Sequence, residues 1–160
     1  MTTATNSTVG ESRELVITHT LDAPREVVFK AWIDPKQMAT WWGPKGFTNP
    51  VCEMDVRPGG SLRIVMRGPD RVEHPMTGIF CAIVEPERLV FTAIARDKHD
   101  NPLLESLTTV AFAENRGKTK LTVQASAVGL APVAPQMLDG MEAGWTQSLE
   151  RLANHVSRIG

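Results

Sequence analysis

The chain has 160 residues, of which 22% are charged and 42% hydrophobic, and its formal net charge is −1. That length suits one domain with a self-sufficient core. The near-neutral balance gives no electrostatic footprint for nucleic acid or an anionic membrane, and no apolar run approaches the roughly 20 residues that span a bilayer.

The opening MTTATNSTVGES is small and polar. It reads as a disordered tail over 1–12 rather than a signal peptide, with a single domain over 13–160. Glu14 to Leu21 then alternates, Leu15, Ile17, His19 and Leu21 against Val16, Thr18 and Thr20, which predicts a strand. Asp22-Ala23-Pro24 offers a capping side chain and an early proline. A short helix follows, with Val27, Val28, Ala31 and Trp32 as its apolar face. Asp34-Pro35-Lys36-Gln37 opens a second helix, with Asp34 as N-cap and Gln37 where a capping box wants it. Gly43-Pro44 stops this helix after Trp41-Trp42. Two short helices joined by almost nothing predict a V-shaped corner.

From Pro50 the period becomes two. Cys52, Met54 and Val56 alternate with Glu53, Asp55 and Arg57, and Pro58-Gly59-Gly60 reverses the chain. Strands are expected over 61–67, 76–84, 89–95, 104–113 and 118–127, separated by Pro-, Asn- and Gly-marked turns. One long amphipathic helix is expected over 135–156. Met137, Met141, Trp145, Leu149, Leu152 and Val156 form its apolar stripe, and Gln147, Glu150 and Arg151 belong to its polar face. The order is β-α-α, six strands in a meander, then the helix. This is an α+β fold in which a curved antiparallel sheet wraps around a long C-terminal helix and leaves a space between them.

Few residues point to chemistry. Cys52 and Cys81 lack metal-ligand or CxxC spacing, so both are expected as buried free thiols of a cytoplasmic protein. No two histidines have metal-ligand spacing, and neither a metal nor a cofactor is expected. There is no GxSxG, and no feature beside either cysteine lowers a thiol pKa. Glu53, Asp55 and Arg57 are expected to face solvent, with Arg63 and Arg67 as cross-strand counter-charges. His74, at the start of a strand, is a candidate polar anchor or general base at the mouth of the interior.

The runs APREVVFKAWIDPKQMATWWGPKGF (23–47), DVRPGGSLRIVM (55–66), GIFCAIVEPERLVFT (78–92) and GWTQSLERL (144–152) resemble one family pattern, in its order. The family is the domain similar to the activator of heat-shock-protein-90 ATPase, within the SRPBCC (START-like) superfamily. The resemblance covers roughly 14–156 and implies a helix-grip fold with an elongated cavity between sheet and long helix. The superfamily includes lipid and hormone carriers, polyketide cyclases, ring-hydroxylase subunits, toxin-sequestering proteins and the co-chaperone domain, so fold alone does not choose a function.

The leading expectation is binding of a small apolar or aromatic molecule in that cavity. Apolar phase and resemblance together nominate its lining. Trp42, Met141, Trp145 and Leu149 would come from the helices, and Met54, Met66, Met76, Phe80 and Phe91 from the strands, with His74 as anchor. Methionines suit a pocket for variable apolar ligands. Two alternatives remain: a cyclase- or hydrolase-type enzyme using His74 with water, and a co-chaperone-like interaction module. A chaperone partner is the lesser expectation, because only a short stretch precedes the first strand where the co-chaperone carries a further domain. An open cavity of roughly 300 Å³ or more would favour the ligand or enzyme readings. Free sheet edges make a homodimer an open alternative to a monomer.

Overall fold

The computed structural model describes residues 11–159. Of the tail expected over 1–12, residues 1–10 lie outside the described residues, while Ser12 already opens the first strand, β1 (Ser12–Leu21). The helical corner follows as α1 (Arg25–Ile33) and α2 (Pro35–Trp41). Asp34 makes this corner. Its N–H closes α1 on the Lys30 carbonyl at 3.0 Å, and its carboxylate caps α2 by accepting from the Lys36 N–H at 3.0 Å. Gln37 donates back to the same carboxylate. At α1 the expected cap differs: Pro24 occupies the N-cap position and no side chain caps the helix.

Six strands then form the meander: β2 (Thr48–Met54), β3 (Ser61–Arg67), β4 (Glu73–Val84), β5 (Arg88–Arg96), β6 (Pro102–Asn115) and β7 (Lys118–Gly129). With β1 paired to β7, they build one seven-stranded antiparallel sheet of order β1-β7-β6-β5-β4-β3-β2. The sheet is therefore unclosed, with β1 and β2 at its edges. The Gly59-Gly60 turn hydrogen-bonds to Phe80 in both directions. It admits no side chain at Gly60, where a Cβ would lie against the Asp55 carbonyl oxygen. Because β2 ends at Met54, Val56 falls in this turn and is exposed, outside the apolar phase expected for it.

The C-terminal helix expected over 135–156 is two helices, α3 (Ala134–Asp139) and α4 (Met141–Ile159). They meet at Gly140, whose low helix propensity lets the chain turn. Leu149, Leu152 and Val156 on α4 are fully buried, each contributing about 1.5–3 kcal/mol by leaving water. They pack with an aromatic cluster centred on Trp32, whose ring lies 4.8 Å from Trp41 and 6.2 Å from Trp145.

The outer face is charged as expected at one pair and differently at another. Arg63 lies 3.8 Å from Glu53, its register partner. Arg67 instead pairs with Glu73 on β4 at 2.6 Å, and Arg57 with its neighbour Asp55 at 2.7 Å. These exposed pairs contribute little to stability. Of the two free thiols expected to be buried, Cys52 is half-buried, but Cys81 is exposed on the outer face.

Candidate functional site

The space between sheet and helix follows from the sizes of the inward-facing side chains. At one end the inner face carries Leu89, Val110 and Val123 in one cross-strand row, all fully buried. The next row is Phe80, Phe91, Thr108 and Ala125, and the one after it is Gly78, Ala93, Ser106 and Ala127. As the side chains in these rows shrink, they fill less of the space beneath α4. What remains is a cavity of about 240 Å³.

Its floor is the small-residue part of β5, β6 and β7, including Ala93, Ala95, Leu104, Ser106, Thr108 and Ala127. Its roof is Met141, Gly144, Trp145 and Ser148 on α4, with Met137 from α3. Trp42, Gly43 and Pro44, leading out of α2, form the rim with Met66 and Met76. Gly43 has a positive φ of 95°, and a Cβ there would press on the Met66 sulfur. Trp42 and Trp145 meet edge to face at 5.5 Å, a favourable geometry for aromatic rings.

Three side chains of one face of α4 hold the rim loop. Ser148 Oγ accepts from the Gly43 N–H at 3.1 Å, and Gln147 Oε1 accepts from the Lys45 N–H at 3.0 Å. The Arg151 guanidinium donates to five backbone carbonyls. One nitrogen reaches Trp42, Gly43 and Pro44, and the other reaches Thr40 and Phe47, all within 2.9–3.1 Å. Burial lowers its pKa from the ordinary guanidinium value, while the converging carbonyl dipoles and the C-terminal end of α2 suit a cation. Gln147 and Arg151 thus leave the solvent face expected for them. One turn on, His155 hydrogen-bonds Gln37 at 2.9 Å and ties α4 to α2; burial foremost, then Arg158, lowers its pKa, against an opposing effect of Asp34.

Of the residues nominated from sequence, Trp42, Met66, Met76, Phe91, Met141 and Trp145 line the cavity. Met54 and Phe80 line a separate inner void of about 10 Å³, across Trp42, Met76 and Phe91 from the first. Leu149 is fully buried in the packed half of the core and borders neither space. His74 has the inward phase, opposite Met66 in the register. It lies beyond the covered part of the sheet, exposed, with its ring 5.9 Å from Phe47 and outside the cavity. Met137, one of the methionines of the apolar stripe, lines the cavity as well, whereas the small residues on β5–β7 and Ser148 were not nominated. The alternation of Ala93 with Ala95 and of Ser106 with Thr108 on the inward phase was the signal that could have found them.

Among the described residues no titratable side chain lines the cavity. Among the described residues no group of three His, Cys, Asp or Glu is placed to hold a metal ion, and no helix is long and apolar enough to cross a membrane. The site therefore offers apolar surface and hydroxyl groups, with no proton donor or acceptor that titrates near neutral pH.

Residues 22–157 match the family described as Activator of Hsp90 ATPase homolog 1-like protein. No curated protein matches the chain. Among solved structures, the chain is similar to a protein of Chromobacterium violaceum, with 28% identity, 89% of this chain and 96% of that one covered, and a TM-score of 0.77. A putative uncharacterized protein of Rhizobium leguminosarum has 27% identity over 93% and 97% of the two chains, at TM-score 0.73. The AHSA1 protein of Silicibacter pomeroyi, at 23% identity and 92% and 100% coverage, shares the fold with TM-score 0.76.

Proposed function

The chain belongs to the Activator of Hsp90 ATPase homolog 1-like family, and from that membership we propose that its work is to bind a small apolar or aromatic molecule between sheet and α4. One observation carries the reading: a cavity of about 240 Å³ whose walls are almost wholly aromatic, methionine and small aliphatic side chains. Protein interiors ordinarily close to crystal density, and an apolar space of this size left unfilled supports the reading. The space falls short of the roughly 300 Å³ set from sequence as favouring a ligand or enzyme, the size at which drug-sized sites begin. It exceeds the roughly 150 Å³ apolar cavity that admits benzene. A single ring with a short substituent fits these bounds. Met66, Met76, Met137 and Met141 supply unbranched, polarisable walls that adapt to shape.

Native mass spectrometry of gently purified protein, with solvent extraction of whatever is retained, tests this directly. The expected result is one small neutral molecule per chain, displaced from Met141→Ala and Trp145→Ala variants that keep their circular dichroism spectra. Retention of the same molecule at the same stoichiometry in both folded variants would move the site elsewhere and refute the proposal.

A further inference from the structure

Among the described residues three polar side chains are buried on the inner side of the fold: Thr108, Thr119 and Ser148, at 2%, 0% and 5% exposure. Two have protein partners. Thr119 donates to the Ala23 carbonyl at 2.7 Å, and Ser148 Oγ accepts from the Gly43 N–H. Thr108 lines the cavity, and no side-chain hydrogen bond satisfies its hydroxyl among the described residues. Among the described residues the enclosed polar atoms without a partner are Trp32 Nε1 and Asn49 Oδ1; the Thr108 hydroxyl is not one of them and opens on the cavity, where a bound acceptor would serve its proton. Ser148 lines the same cavity; its oxygen already accepts from Gly43, and its proton has no acceptor among the described residues, so a ligand oxygen would complete it while its second lone pair can stay unbonded at less cost. Ser106, the third hydroxyl in the wall, lies 3.4 Å from the Ala93 carbonyl and is already directed to it. Among the described residues no lysine, arginine or histidine borders the space, so an ionised carboxylate or phosphate would be buried there without a counter-charge, at a high cost.

We infer that the cavity selects uncharged molecules bearing a hydrogen-bond-accepting oxygen, a ketone or ester carbonyl on a small ring, with Thr108 as the donor to that oxygen and Ser148 as the second. This rests on the cavity being a ligand site and adds what end of the ligand the site recognises. The ring lies among Trp42, Trp145 and the methionines, and the oxygen lies toward β6. Thr108 is a specificity-determining residue in this account: its hydroxyl tells a carbonyl compound from a hydrocarbon of the same outline.

Calorimetric titration with acetophenone, with α-methylstyrene (a methylene in place of the carbonyl oxygen) and with benzoate tests the inference on the whole chain. The decisive quantity is the affinity ratio of acetophenone to α-methylstyrene, which cancels most of the shared apolar contribution. That ratio should fall roughly tenfold in Thr108→Val, the worth of one good hydrogen bond, and also fall in Ser148→Ala, while α-methylstyrene binding to Thr108→Val stays the same or tightens. Benzoate should not bind at neutral pH. An unchanged ratio in both folded variants overturns the carbonyl assignment and leaves the cavity reading standing. Benzoate binding in the cavity overturns the neutral class. Binding of neither neutral probe overturns the cavity reading and this inference together.

Discussion

Cys52 and Cys81 show how much a residue's chemistry depends on which side of a strand it lies. Alternation from the buried Phe80 turns Cys81 outward, and the register irregularity between Phe80 and Ala82 leaves it without a pairing partner on β5. Cys52 faces the core side of β2, where burial foremost, with Asp34 and Glu53 adding to it, pushes its thiol up to about 11. The thiolate is the reactive species, so the two should separate in a labelling experiment near pH 8. Cys81 should react with a maleimide as a free surface thiol, and Cys81→Ser should abolish that fast phase. Cys52 should react only on unfolding. Two fast phases, or a fast phase that persists in Cys81→Ser, would contradict the burial described for β2. Expecting two buried thiols followed from the lack of metal-ligand or CxxC spacing in two strand-like runs; spacing does not report phase, and Cys81 is where the phase decides.

The corner and α4 act as elements through backbone groups that a helical wheel does not show. The apolar stripe of α4 was legible, because spacings of three and four need no knowledge of the partner. The role of Gln147, Ser148 and Arg151 was not legible, because their partners are backbone atoms of a loop more than a hundred residues away in sequence. The Gly140 break was also hidden: one glycine inside an apolar periodicity reads equally as a tolerated interior position. Arg151 should matter most among these. Arg151→Ala removes five carbonyl contacts at once and should destabilise the fold by about 2–3 kcal/mol in urea titration. It should also speed hydrogen exchange at the Gly43 and Lys45 amides, which α4 holds through Ser148 and Gln147. Arg151→Lys keeps the charge but not the planar fork, so it should recover only part of the loss. Wild-type exchange at both amides in a folded Arg151→Ala variant would mean that the rim loop stands without the guanidinium.

For the molecule as a whole, strand order and the helical corner could be derived because alternation, turn residues and the Asp34-Pro35 cap are local signals. The cavity is a difference between layers: it exists where rows of Ala, Ser and Gly on the sheet face α4, and no single segment reveals it. His74 was nominated for its chemistry, whereas the space is made by residues with almost none. The central claim is that this space is where a small molecule binds, and methyl spectra of protein labelled at the methionine methyls test it most directly. With α-methylstyrene as probe, the signals of Met66, Met76, Met137 and Met141, which line the cavity, should move together and saturably, while Met38, which borders the inner void and not the cavity, changes less. In Ala93→Leu, which fills the floor of the cavity, those shifts should vanish with the fold intact and its melting temperature unchanged or raised. Equal shifts in wild type and folded Ala93→Leu, or shifts that avoid those four methyls, would contradict the account.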